Sequence, residues 1–195
     1  MTFSTPAVSS TDLAWLHERL TLDAEAAGLL DVAYRIVDTP VGPLLLAATG
    51  TGLVRVAYVA DSPDTVLDEL SGRVSPRILE APARLEVAAH QIDEYFRGAR
   101  NSFDLPLDLR LATGFRREVI THLPEIGYGR TASYAQVAAA AGSPRAVRAV
   151  GTACAKNPLP LVIPCHRVVR SDGGLGQYAG GVEAKRILLE LETAI

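Results

Sequence analysis

Cysteine is scarce in this chain, and long apolar runs are absent. Its 195 residues hold two cysteines, Cys154 and Cys165, and no Cys-x-x-Cys pair. That excludes a disulfide scaffold, a zinc ribbon and a thioredoxin-type motif, and it fits a reducing, cytoplasmic compartment. No stretch approaches the roughly 18 consecutive apolar residues of a membrane span, so no membrane partner is expected. Residues 1–11 lack a basic stretch followed by an apolar one, and so do not read as a secretory signal. There is no internal repeat and no low-complexity tract beyond an alanine-rich helix.

What is present is an ample supply of core residues, 48% hydrophobic, and an uneven charge. Residues 1–109 carry 8 Lys and Arg against 16 Asp and Glu, a balance of −8, whereas residues 110–195 carry 11 against 6, a balance of +5. An acidic half joined to a basic half points the second half toward a polyanion. Scattered solvated charge is the plainer alternative, and the whole-chain pI of 5.8 does not by itself indicate nucleic acid.

Hydrophobic periodicity divides the chain. Residues 1–11 are rich in Ser and Thr and read as disordered. From Thr11 to Leu30 the spacing of Leu13, Leu16 and Leu20 predicts a helix, so residues 1–31 form a partly helical extension. Val32–Val37, Leu44–Ala48 and Leu53–Val59 read as strands separated by Gly-containing turns, which favours an antiparallel meander. Ser62 is a candidate N-cap for a short helix opened by Pro63, and Leu85–Phe96 predicts another helix. Phe103–Leu107 reads as an edge strand limited by Pro106. Residues 32–108 thus form one α/β domain and residues 109–195 a second, mostly helical one. There Thr113 can cap a helix over Gly114–Leu123. Ser133-Tyr134-Ala135-Gln136 forms a capping box. After it, Gly142 ends the helix, Ser143 caps the next and Pro144 takes its first position, with that helix running to Lys156. Two short helices about a glycine turn are a helix-turn-helix pattern, with Arg145 and Arg148 on the second helix. An αα-corner that binds no DNA has the same pattern.

The densest chemistry lies in Pro164-Cys165-His166-Arg167-Val168-Val169. A thiolate is the nucleophile, and a neighbouring imidazole and cations such as Arg167 and Arg170 lower a cysteine's pKa. A buried, inert cysteine beside a coincidental histidine is the alternative, since adjacent residues on regular structure point different ways.

Together these segments resemble the O6-alkylguanine-DNA alkyltransferases, the methylated-DNA–protein-cysteine methyltransferases. The matching residues are Ser133-Tyr134-Ala-Gln136, Ser143-Pro144-Arg-Ala-Val-Arg148-Ala-Val-Gly151, Asn157-Pro158, Ile163 to Val169, Gly176-Gln-Tyr178-Ala-Gly180-Gly181 and Lys185. The motifs cover residues 113–193; residues 32–108 resemble the family's N-terminal domain by pattern alone. The resemblance implies an α+β protein, with an RNase H-like N-terminal domain and a helix-turn-helix domain after it. It implies a monomer, associated with the nucleoid, that binds double-stranded DNA containing O6-alkylguanine through the minor groove. The alkyl group, from O6-alkylguanine or O4-alkylthymine, passes to Cys165 in a single turnover that uses no cofactor.

Residue by residue, the resemblance implies that His166, oriented by Glu192, activates Cys165 through a water. Arg148 fills the space left by the flipped nucleotide, and Tyr134 displaces the 3′ phosphate. Ser143 and Arg145 join the DNA contact. Val168, Tyr178 and Ala179 form the base pocket, Asn157 braces the loop, and Lys185 ties it down and adds positive potential. Tyr134 and the Ala179 amide also stabilise the leaving guanine. Departures are Ile120, where the family usually has Trp, and Ala179, where many members have Ser. Some relatives carry zinc in the N-terminal domain; here His17 and His90 alone cannot make a tetrahedral site, so no metal is expected. Cys154 reads as a buried spacer. Two other functions share parts of the pattern: a lesion-binding relative without transfer activity, which lacks the motif's cysteine, and a Cys-His hydrolase.

Overall fold

The computed structural model describes residues 9–59 and 62–193. Most of the disorder expected for residues 1–11 therefore falls outside the described residues. Helix α1 (Ser10–Ala26) begins earlier than its apolar spacing predicts, because Ser9 and Asp12 form a reciprocal capping box. None of its residues is buried. It is held by His17 Nε2 against the Glu80 carbonyl at 2.6 Å, and by an Arg84–Glu25 pair at 3.7 Å.

Strands β1 (Val32–Val37), β2 (Leu44–Ala48) and β3 (Leu53–Tyr58) form the expected antiparallel meander. A fourth strand, β4 (Ile78–Glu80), pairs parallel to β1, so the sheet is mixed and ordered β3-β2-β1-β4. Three residues long and flanked by Pro76, β4 carries too little alternation to be read from sequence. The edge strand expected over Phe103–Leu107 reduces to one bridge between Leu107 and Leu53. Central strand β2 is buried on both faces. Leu44 and Leu46 pack toward the larger core, while Leu45 and Ala47 join Val32, Val54 and Leu70 on the other face, as a period of two requires. Helix α2 (Asp64–Arg73) covers that second face with Leu70. Ser62 does not cap it: Pro63 occupies the cap position, and the Ser62 hydroxyl instead accepts from Asp64 N. Helix α3 (Glu86–Phe96) buries Ala88, Gln91, Ile92 and Tyr95.

Helix α4 (Gly114–His122) follows Thr113, whose side chain makes no capping bond. Strand β5 (Ala132–Ser133) leads into α5 (Tyr134–Ala140), and here the Ser133–Gln136 capping box forms in both directions. The next helix, α6 (Val147–Ala155), starts later than expected. The Ser143 amide is already committed to the Ala138 carbonyl at 2.9 Å, and Gly142, at φ +69°, donates to Ala139. This is a Schellman closure of α5; Pro144 and Arg145 then form a turn closed by Ala146 N donating to the Ser143 carbonyl at 2.8 Å, and α6 begins only after it. Arg145 consequently lies in the connecting turn; only Arg148 is on α6. After a 3₁₀ turn at Cys165–Arg167 come β6 (Val168–Val169), parallel to β5, and α7 (Gly181–Thr193).

The two halves share one core. Leu44, Leu46 and Val56 of the sheet pack in the same cluster as Val137, Val150, Leu159, Ile163 and Cys165. Strand β3 also donates from Val56 N to the Pro158 carbonyl at 2.9 Å. No helix among the described residues is long and apolar enough to cross a membrane.

Candidate active site

Cys165 sits at the end of a buried, strained loop. Leu161 adopts φ +74°, an uncommon conformation for a residue with a side chain. Asn157 holds the loop in that shape: its amide donates to the Ile163 carbonyl at 2.9 Å, and its oxygen accepts from Leu159 N at 3.0 Å. The β5–β6 pairing sets Ala132 against Val168 and Ser133 against Val169. That register delivers Tyr134, the first residue of α5, to the same neighbourhood. From α7, the buried Lys185 Nζ donates to the Val168 carbonyl at 2.5 Å.

The Cys165 thiol is 2% exposed. Burial pushes its pKa up to about 11, against partial relief from the Asn157 amide and the Lys185 charge. This corrects the expectation of a thiol already lowered by its sequence neighbours. The Arg167 guanidinium is spent elsewhere: its Nε and Nη2 donate to the Glu192 carboxylate at 2.9–3.1 Å, and Nη1 donates to the Ile126 carbonyl at 2.6 Å. Arg170 is exposed.

Glu192 is the hub of the buried network. Besides Arg167, it accepts from His166 Nε2 at 2.8 Å, from the Tyr95 hydroxyl at 2.7 Å and from Gly129 N at 3.2 Å. Although burial opposes ionisation, these donors hold its carboxyl down at about 2. An ionised carboxylate only accepts, so His166 carries its proton on Nε2. Burial also lowers the His166 pKa, which keeps the ring neutral. The basic lone pair therefore lies on Nδ1, which is buried and has no protein partner.

Above the thiol, Tyr178 is 9% exposed and meets Tyr58 edge-on, with a hydroxyl contact of 3.1 Å. A Cβ added at Gly180 would fall 2.4 Å from the Tyr58 ring, and one at Gly176 would fall 2.6 Å from the Tyr134 hydroxyl. Glycine at both positions lets the loop lie directly on the two rings. Ala179 is exposed on that loop. Cys154 is buried on α6 with its pKa raised to about 12 by burial, as suits a spacer. Arg145 and Arg148 are exposed and Ser143 is partly exposed, away from the buried network.

Tyr58 and Tyr95 escape sequence reasoning. Both lie on N-terminal elements, where their periodicity marks only core, and their partners are about 100 residues away or more. Arg167 is visible in the motif, but its pairing with Glu192 is not.

The comparisons agree with this architecture. Residues 32–109 match the family described as 6-O-methylguanine DNA methyltransferase, ribonuclease-like domain, and residues 114–194 match that described as 6-O-methylguanine DNA methyltransferase, DNA binding domain. A methylated-DNA–protein-cysteine methyltransferase of Methanosarcina barkeri is 41% identical over 82% of this chain and 96% of its own length. The Mycobacterium tuberculosis protein of that name is 38% identical over 84% and 93%. The crystal structure of Mycobacterium tuberculosis OGT in complex with DNA superposes with a TM-score of 0.73 at 38% identity, over 83% of this chain and 93% of that one. The Pyrococcus kodakaraensis methyltransferase gives 0.59 at 26%, over 83% and 98%. With both halves matched in order and relatives this similar over most of its length, the chain belongs to the 6-O-methylguanine DNA methyltransferase family.

Proposed function

We propose that this protein repairs alkylated DNA by moving the alkyl group from guanine O6, or thymine O4, to the Cys165 sulfur in a single, stoichiometric turnover. The observation that carries this reading is the proton arrangement at the buried thiol. Cys165 is a neutral thiol, and the adjacent residue, His166, is a neutral imidazole whose basic nitrogen is its unpartnered Nδ1.

In the transfer, the Cys165 proton passes to His166 Nδ1, through a water. The sulfur pair forms the S–C bond, and the C–O bond to guanine breaks. Its electrons stay on the purine, which takes up a proton while the imidazolium gives its own back to solvent, so that guanine and the neutral imidazole are both restored. The Glu192 carboxylate stabilises the imidazolium as it forms, the orienting role of a triad's acid. The Tyr134 hydroxyl and the Ala179 amide hydrogen-bond the leaving purine as its charge develops. Val168 and Tyr178 wall the base, while Lys185 and Asn157 hold the loop.

A base must leave the stack to reach a buried thiol. The exposed face of α6 enters the minor groove of duplex DNA, with Arg148 filling the vacated position and Tyr134 displacing the 3′ phosphate; Ser143 and Arg145 contact the backbone beside it. Readout there is weak in sequence information, as repair at any guanine requires. The protein acts as a monomer.

Intact mass after incubation with duplex DNA carrying O6-methylguanine tests the proposal. A gain of about 14 Da, the difference between a methyl group and hydrogen, is expected on Cys165, saturating at one per chain and absent from Cys165→Ser. Tight lesion binding with no mass gain would instead favour a lesion-binding relative. Repeated turnover of an ester without any transfer to protein would favour a hydrolase.

A further inference from the structure

One well-formed cavity lies away from the thiol. It is a cleft of about 540 Å³ between β3, α2 and the last turn of α6, reaching Ala179 and Pro160 beside the active-site loop. Its polar lining is Arg55, Arg73, Arg116, Lys156 and Glu69, together with Asn157. The four cations come from four elements in both halves of the chain. Among the described lining residues, Glu69 is the one carboxylate; it pairs with Arg55 at 3.2 Å and Arg73 at 2.6 Å.

Three cations in excess in one cleft, on a chain whose net charge is −3, is a repulsive arrangement. Arg55 shows the cost: its Nε is buried with no partner, and burial weakens its hold on its proton even though Glu69 opposes that shift. Lys156 is exposed at the rim. Arg73 Nη2 and Arg116 Nη1 converge on one acceptor, the Leu111 carbonyl, at 3.1 and 3.4 Å, and guanidiniums so gathered at one cleft match the spaced oxygens of a phosphate, which fork-shaped donors grip in pairs.

The position of the cleft selects the source of that phosphate. Lys156 caps the C-terminal end of α6, eight residues after Arg148. At 1.5 Å per residue that is roughly 12 Å along the helix. With a rise of about 3.4 Å per base pair, a duplex whose axis runs along α6 would carry backbone past the cleft within about four steps.

We infer that the Arg55–Arg73–Arg116–Lys156 cleft is a phosphate site that grips the backbone of the bound DNA strand and extends its footprint onto the N-terminal domain. The inference rests on the proposed seating of DNA along α6. The same chemistry would accept a free phosphate ligand, and the test separates the two sources.

The double variant Arg116→Gln/Lys156→Gln is compared with the unaltered protein on an undamaged duplex across a salt series. Each lost phosphate contact lowers the slope of log K against log salt by about 0.9. Loss of two contacts lowers it by about 1.8, so the difference in Kd between the two proteins shrinks about tenfold between 50 and 200 mM salt. Melting temperatures check folding, and if the double variant is unstable, Lys156→Gln alone, at an exposed position, should lose about 0.9 of slope. Calorimetric titration with pyrophosphate is the second arm: saturable binding that the variant loses, with the DNA slope unchanged, assigns the cleft to a free phosphate ligand. An unchanged slope with no pyrophosphate binding overturns the inference. Because the duplex is undamaged, these outcomes do not depend on methyl transfer. A missing mass gain on Cys165 would overturn the repair reading while leaving the phosphate site standing.

Discussion

Glu192→Gln is the most searching perturbation of the buried network. The substitution keeps the shape of the side chain and removes its charge. Arg167, 7% exposed, then loses its counter-ion while keeping one hydrogen bond to the Ile126 carbonyl. Breaking a buried pair by removing one partner costs about 3–5 kcal/mol, because the remaining charge stays desolvated. An independent route gives a similar size. The carboxyl is held at about 2 against an ordinary 4.5, which corresponds to about 3 kcal/mol of preferential stabilisation of the charged, folded form. For a chain of this length each kcal/mol moves the melting temperature by about 2–4 °C, so a drop of about 6–20 °C is expected. Urea unfolding supplies the free energy directly. Tyr95→Phe, which removes a single bond to the same carboxylate, is the control, and its cost should stay within about 1.5–3 kcal/mol.

The pH dependence has a definite sign. The folded Glu192 pKa lies below its unfolded value, so its contribution is complete above about 4.5 and is lost as pH falls toward about 2. The gap between the unaltered protein and Glu192→Gln should therefore close across that window. His166, also lowered by burial, contributes in the same direction from a higher starting point, because the unfolded chain takes up its proton first as pH falls below about 6.5. A Glu192→Gln protein within 1 kcal/mol of the original, or a gap that persists unchanged at pH 2.5, would refute the network as a source of stability (thresholds set at about the size of one ordinary hydrogen bond).

Two further outcomes are expected. Gly176→Ala places a methyl 2.6 Å from the Tyr134 hydroxyl at a φ of +72°, so single-turnover transfer should slow by at least about tenfold, with a folding cost of about 1–3 kcal/mol; an unchanged transfer rate would show that Tyr134 is not needed where it lies. Without DNA, alkylation of Cys165 by iodoacetamide, followed by peptide mapping, should rise about tenfold per pH unit from 7 to 10, because the thiol titrates near 11; a plateau near pH 8 would contradict burial as its dominant influence.

What the sequence discloses depends on how local the cause is. The three-strand meander, the Ser133–Gln136 capping box and the Asn157 brace are written in short spans, where turn residues and hydrogen-bonding side chains act on near neighbours. The start of α6 is a local matter too, but two local signals compete for Ser143. Its side chain is a good N-cap, yet its carbonyl closes a turn with Ala146 N, and that turn comes before α6. Tyr58 over Tyr178, Tyr95 on Glu192 and the fourth strand beside β1 come from elements brought together by the common core. Their identities follow from packing, which a single sequence does not encode position by position. The family motif does identify Cys165, His166 and Glu192, but not the charge balance among them.

That balance bears on how a nucleophile works inside a buried site. Cationic neighbours in the sequence suggest a thiolate held ready, but an unpaired thiolate in the core is costly, and burial raises the thiol to about 11. Arg167 compensates the Glu192 charge and, with Lys185, lowers the proton affinity of His166. Before reaction the network is therefore an ion pair with a neutral imidazole and a neutral thiol, the least costly distribution for a core. In the proposed transfer, charge appears in opposite pairs: an imidazolium beside Glu192 as sulfur becomes nucleophilic, and a purine anion at the Tyr134 hydroxyl as the C–O bond breaks. An acceptor fixed in advance at the imidazolium, Glu192, and a donor at the purine, the Tyr134 hydroxyl, favour the separated charge of the transition state over the neutral ground state. Removing Arg167 would make His166 a stronger base, but it would leave the buried Glu192 carboxylate without the guanidinium that compensates it. In the proposed transfer the arginine of the motif thus helps to keep Glu192 ionised and His166 neutral, rather than acting on the sulfur itself.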